Sequence, residues 1–193
     1  MKKSLIVTGV AAVALAAMPA LGAFADVTDT VTITINGACS VGGTTATTGA
    51  GVSLSETMTN GSTKVWDADG TTGGKLVVSC NDASGWNVKA VGASTGSSNT
   101  AMTPTGSGTP IATGTATSGA TSNWAFKVSG TGAVAAYTSF AAVPGTATKV
   151  AGGSGAVSEN EIYTGYQVYV SATQQADTYT GKVTYTVATG VGS

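Results

Sequence analysis

Three features of the sequence predict an all-β fold. Apolar residues recur at every second position, the period of a half-buried strand. The apolar runs are short and are separated by turns rich in the chain's 28 glycines. Threonine occurs 34 times, and its β-branched side chain suits the solvent face of a pleated sheet. At 193 residues the chain is about one domain long, and strands at intervals with little helical signal indicate a sandwich or barrel.

Residues 1–25 read as a secretory signal. Lys2 and Lys3 form a positive start, residues 5–17 run without a charge, Pro19 breaks the run, and Ala23 and Ala25 fill the small positions before a cut ahead of Asp26. An uncleaved anchor is the alternative, but the run is shorter than the ~20 apolar residues a spanning helix needs. The mature chain is therefore expected at 26–193, without a transmembrane segment. Its place is extracellular or on the cell surface, with the periplasm as a stage of transit. Six Lys against nine acidic residues give it a formal charge of −3.

Strands follow in order. Val27, Val31, Ile33 and Ile35 share one parity, interrupted by Asp29, and form a first strand. Asn36-Gly37 marks a turn or bulge after it. Residues 75–80 (KLVVSC) and 86–91 (WNVKAV) flank the turn 81–85 and read as a hairpin, with Trp86, Val88 and Ala90 facing one way. In residues 124–128 (WAFKV), Trp124, Phe126 and Val128 share a face. Residues 133–143 fit a short helix or a strand. Residues 166–170 (YQVYV) and 179–187 (YTGKVTYTV) close the chain, with Tyr163 and Tyr169 on one face and Tyr166 on the other.

Residues 92–121 stand apart. They are almost wholly Gly, Ser, Thr, Ala and Pro and carry no charge. Such a stretch reads as a long low-complexity surface loop, or as two weak edge strands with loops, that contributes little to burial and is dispensable for folding.

Composition excludes several functions. The chain has eight Lys, no Arg and no His, and its charged fraction of 9% is far below the roughly 25% of an ordinary domain. No basic cluster exists to neutralise phosphates, so nucleic acid is not an expected partner. Without His there is no Ser-His-Asp triad, no Cys-His dyad and no His-ligated zinc. Glycosidase chemistry needs two opposed carboxylates, and nothing in the spacing of Glu56, Asp67, Asp69, Asp82, Glu159, Glu161 and Asp177 singles out a pair. Glu159 and Glu161 read as solvated charge at the edge of a Gly-rich loop. Asp67-Ala68-Asp69-Gly70 begins like a cation loop but lacks the later ligands, so an acidic turn is expected. No enzyme, cofactor or metal is predicted.

The two cysteines, Cys39 and Cys80, both fall in the exported part. There a disulfide is expected over two free thiols. It would close a loop of about 41 residues, worth roughly 4 kcal/mol on chain-entropy grounds. Trp86 and Trp124 read as core, while Trp66, beside Asp67 in a turn, is the Trp expected at the surface.

The order of these features resembles a known group. An alternating strand ends in Ile33-Thr34-Ile35-Asn36-Gly37-Ala38-Cys39, a second Cys closes Leu76-Val77-Val78-Ser79-Cys80, and a Tyr-rich ending runs through residues 166–172 and 178–187. This resembles bacterial pilin-like and spore-coat-U-like secreted domains. The resemblance implies an immunoglobulin-like β-sandwich, a Cys pair joining the first two strands, and a closing hairpin at the end. The ending is also similar to Gram-positive surface domains named for a Trp-x-Leu motif, although no Trp-x-Leu tripeptide occurs here.

The expectation is thus a single all-β, immunoglobulin-like sandwich with a long low-complexity loop at 92–121. It would act as a cell-surface structural or adhesive protein, a fibre or coat subunit that self-associates by strand addition through Val27, Val31, Ile33 and Ile35 of residues 27–35, a strand whose other expected role is to complete its own sheet. The alternative is a monomeric carbohydrate-binding module that holds a glycan on exposed Trp or Tyr.

Overall fold

A computed structural model describes residues 35–41, 49–50, 56–96 and 98–191, with strand pairing alone for the first two stretches. The signal, its cleavage point and Val27, Val31 and Ile33 lie outside the described residues. The strands are β1 (Ile35–Val41), β2 (Gly49–Ala50), β3 (Thr63–Trp66), β4 (Gly74–Cys80), β5 (Trp86–Gly92), β6 (Thr103–Pro104), β7 (Ala112–Thr113), β8 (Asn123–Gly130), β9 (Thr148–Gly153), β10 (Val157–Tyr169), β11 (Tyr179–Thr180) and β12 (Val183–Thr189).

They form a seven-stranded sheet in the order β2-β1-β4-β10-β8-β7, with β3 also on β10, a three-stranded sheet β12-β5-β9, and a ribbon of β11 with β6. The 13-residue β10 is the hub. One edge runs antiparallel to β8 from Ile162 opposite Gly130 to Tyr169 opposite Asn123. The other edge is shared, first by β4 and then by β3. Gly165 sits where β4 gives way to β3. A Cβ there would lie 2.6 Å from the Ala68 nitrogen and 2.8 Å from the Trp66 carbonyl oxygen, so the close approach of the two chains requires glycine.

Alternation in the sequence becomes burial. Leu76, Val78 and Cys80 of β4, Trp124, Phe126 and Val128 of β8, and Ile162, Tyr166 and Val168 of β10 turn inward. They meet Trp86, Val88 and Ala90 of β5 and Val183, Tyr185 and Val187 of β12 in one core. Each large apolar side chain so enclosed is worth about 1.5–3 kcal/mol relative to exposure. The hydroxyls of Tyr166 and Tyr185 meet 2.9 Å apart inside the core, linking the two sheets at their centre. The all-β sandwich expected from the sequence is present.

Four local expectations are corrected. β4 and β5 are not a hairpin: residues 81–85 carry the chain from one sheet to the other. Asp82 fixes this corner by accepting from the Ser84 N–H and hydroxyl, both at 2.7 Å, and Gly85 adopts φ 101°. The Tyr-rich ending is likewise no hairpin, because β10 and β12 lie in different sheets, and Gly181-Lys182 divides the predicted 179–187 strand into β11 and β12. Asn36-Gly37 lies inside β1, paired with Lys75 and Leu76; an isolated turn signal yields to the ladder on either side. Glu159 and Glu161 belong to β10 rather than to a loop edge. A register shift between Val157 and Asn160 leaves Glu159 at φ 53°, with its N–H donating to the Ser79 hydroxyl at 2.9 Å. Residues 133–143, undecided from sequence, hold a 3-10 turn at Ala135–Tyr137 and a bridge from Ala141 to Phe126.

The largest departure is residues 92–121. The segment carries β6 and β7, and its Ile111 is 1% exposed, within the core. Met102 and Ile111 exchange backbone hydrogen bonds at 2.8 and 3.1 Å, and the Trp124 indole donates to the Thr100 carbonyl at 2.8 Å. β7 pairs in parallel with the start of β8. Beyond it, the chain passes over the outer face of the sheet, where the Tyr169 hydroxyl donates to the Gly119 carbonyl at 2.7 Å. Composition alone hides this, since one isoleucine and a set of backbone hydrogen bonds hold the segment.

Candidate functional site

At one margin of the sandwich two strand edges come together without pairing. β1 is joined to β4 in parallel, Asn36 through Val41 lying opposite Lys75 through Cys80. On its other side only Ile35 and Asn36 meet β2, so among the described residues Gly37–Val41 have no partner strand there. β12 pairs with β5 along its whole length and has no ladder on its far edge among the described residues. Parts of β1 and β12 lie within 8 Å of each other, Cα to Cα. Rows of backbone N–H and C=O groups on such edges are a template for another strand. Ile35, the last of the predicted assembly residues, opens β1.

The same register places the cysteines. Cys39 stands opposite Val78, and Cys80 opposite Val41; Cys80 is buried at the end of β4. The predicted bridge would therefore join two neighbouring strands, β1 and β4.

The acidic residues are dispersed into local structure. Asp69 closes its turn by accepting from the N–H groups of Thr72 and Thr71, at 3.0 and 2.8 Å, and these hydrogen bonds lower its pKa. Asp67 pairs with Lys127 at 2.5 Å, whose ammonium also lies 4.9 Å from the centre of the Phe140 ring. Glu161 is held by the Lys75 ammonium and the Tyr163 hydroxyl, which keep its carboxyl below the usual range, while the same hydrogen bond raises Lys75. These carboxylates serve turns and cross-strand pairs, and no group of three or more acids or cysteines among the described residues could hold a metal ion.

At the other end of the sandwich, the β6–β11 ribbon and the loop 174–178 stand off from the seven-stranded sheet and leave a cleft of about 620 Å³. Trp66, Trp124 and Tyr166 come to it from the sheet, Tyr179 from the ribbon, and Met102 from the position just before β6. Sequence reasoning placed Trp66 at the surface; it is half-buried and packs on the core. Trp86 and Trp124 are core, as expected. Sequence reasoning missed the cleft because its walls come from five separated stretches. Asp177 stiffens the rim by accepting from the Thr105 hydroxyl and the N–H groups of Gly106, Gly108 and Thr178, at 2.7–3.1 Å. Partial desolvation opposes its ionisation, but these donors together prevail and its pKa is lowered.

Fold and site together define an all-β sandwich with a seam at one margin that is unpaired among the described residues, and an aromatic cleft. Compared with known proteins, the chain matches no family model, no curated protein and no solved structure.

Proposed function

We propose that this is a secreted, cell-surface structural or adhesive protein of bacterial type, whose copies join by strand addition at the seam between β1 and β12. The observation that supports the reading is the seam itself: two adjacent edges, one from each sheet, for which the described residues supply no partner strand along Gly37–Val41 or along β12. A strand entering there gains main-chain hydrogen bonds, and its alternate side chains supply specificity. Residues 26–34 are the donor. Their apolar parity of Val27, Val31 and Ile33, interrupted by Asp29, continues into Ile35 at the head of β1, so the inserted part is Val31 onward. The immunoglobulin-like connectivity and the Cys39–Cys80 bridge belong to this reading, the bridge fastening the strand that the donor leads into.

Sizing with light scattering tests it on the mature chain, the chain lacking 26–34, and Ile33→Asp. The mature chain should form concentration-dependent oligomers. Both variants should run as monomers with their β signal in circular dichroism intact, because a buried carboxylate without a partner is costly. An intact protein that stays monomeric at high concentration, with a truncation that unfolds, overturns the proposal and returns residues 26–34 to their own core.

A further inference from the structure

We infer that the cleft beneath the β6–β11 ribbon is a binding site for a neutral sugar residue. Its volume of about 620 Å³ falls in the range of roughly 300–1,000 Å³ typical of small-molecule sites.

The chemistry of the lining selects the ligand. Trp66 and Tyr179 are half-buried, whereas Trp124 and Tyr166 are enclosed behind them. Half-buried rings beside an apolar floor suit the C–H face of a pyranose, which packs on aromatic surface as other apolar groups do. The two carboxylates of the cleft are already engaged. Glu56 pairs with Lys64 at 2.6 Å, Asp177 is engaged by its four donors, and no Lys lines the cleft. The Lys64 ammonium, 5.7 Å from the centre of the Trp66 ring, is already paired with Glu56. An anion there competes with Glu56 for that ammonium, and a cation finds both carboxylates engaged, so either gains little for the hydration it loses.

The amides supply the polar half of recognition. Asn60 gives both N–H groups to backbone carbonyls, of Ala172 and Gln174, each at 3.1 Å. Gln174 gives both of its own to the Thr109 carbonyl, at 2.8 Å, and the Tyr179 hydroxyl, at 2.6 Å. These partners fix which end of each amide is nitrogen, and they leave the two side-chain carbonyl oxygens as oriented acceptors. Hydroxyl groups are the donors that match them. A ligand with an apolar face, no charge and a ring of hydroxyls is a neutral sugar. This reading stands apart from the seam and does not depend on assembly.

The test titrates the mature chain with methyl glycosides of glucose, galactose, mannose and N-acetylglucosamine, and with glucuronic acid, followed by tryptophan fluorescence and by NMR shifts. At least one neutral glycoside should bind saturably, shifting Trp66, Gln174 and Tyr179 and leaving β1 and β12 unmoved. Trp66→Ala should weaken that binding tenfold or more with the fold retained, and Trp66→Phe should weaken it less. The inference fails if no neutral glycoside saturates the folded protein, if glucuronic acid binds at least as tightly as the best of them, or if folded Trp66 variants bind unchanged. Where a variant does not fold, the map of shifted residues on the unaltered chain decides.

Discussion

Among the described residues, the β8 margin of the large sheet is covered, and the β1 margin is open beyond Asn36. Along β8, Ala112 and Thr113 pair in parallel with Asn123 and Trp124, the Gly114 N–H reaches the Trp124 carbonyl at 2.7 Å, and Ala141 exchanges two hydrogen bonds with Phe126. The chain then crosses the outer face, where Gln167 and Tyr169, although on the side away from the core, are only 5% exposed. On the outer edge of β1 the described residues place only the two-residue β2, at Ile35 and Asn36, and on that of β12 no ladder. A sheet edge invites pairing with other chains. Here the low-complexity segment covers part of one margin, and the proposed strand addition uses the other. The segment that looks least like structure is thus the one that covers the β8 edge.

The largest expected effect strikes the anchor of the covered margin. Ile111→Ala removes a fully enclosed side chain and should cost about 2–5 kcal/mol. In a chain of this size that lowers the thermal midpoint by roughly 2–4 °C per kcal/mol. Val65, 43% exposed on β3, is the reference: Val65→Ala should change stability by no more than about 0.5 kcal/mol. Equal melting curves for the two variants would mean that residues 92–121 are not fastened to the core, and the contrast between margins would fail.

A smaller effect sharpens the contrast through pH. The folded pKa of Asp177 lies below the ordinary value of 3.8, so its contribution is fully present above that value and is lost as pH falls through the lowered one. Asp177 ties residues 105–108 of the same segment to the loop before β11. Asp177→Asn should therefore melt below the unaltered protein near neutral pH, and the gap should narrow in acid. A gap that is constant from neutral pH to acid, measured by melting curves across that range, contradicts the assigned role.

Much of the core was legible in advance. The parity of Trp124, Phe126 and Val128, and of Trp86, Val88 and Ala90, needs only the two-residue period of a strand, and all six are buried. Partnership was not legible, because alternation tells which way a side chain points and not which sheet it joins; hence β4 and β5 read as a hairpin. Ile111 carried no signal because a lone apolar residue among Thr and Gly has no period. The first half of β10 was obscured by its bulge at Glu159 and by outward Glu161. The seam was half visible: the sequence marked Ile35 as an assembly residue, but the open edge of β12 depends on a sheet order that the sequence does not state. The cleft depends on the same tertiary arrangement.

Hydrogen–deuterium exchange on assembled and dissociated protein tests the central claim most directly, since it reads edge pairing residue by residue. Strand addition at the seam predicts that assembly slows exchange in Val183–Thr189 and Ile35–Val41 and leaves Ala112–Thr113 and the cleft loop 174–178 unchanged. Slowing at Ala112–Thr113, or assembly with no slowing in β1 and β12, would contradict it.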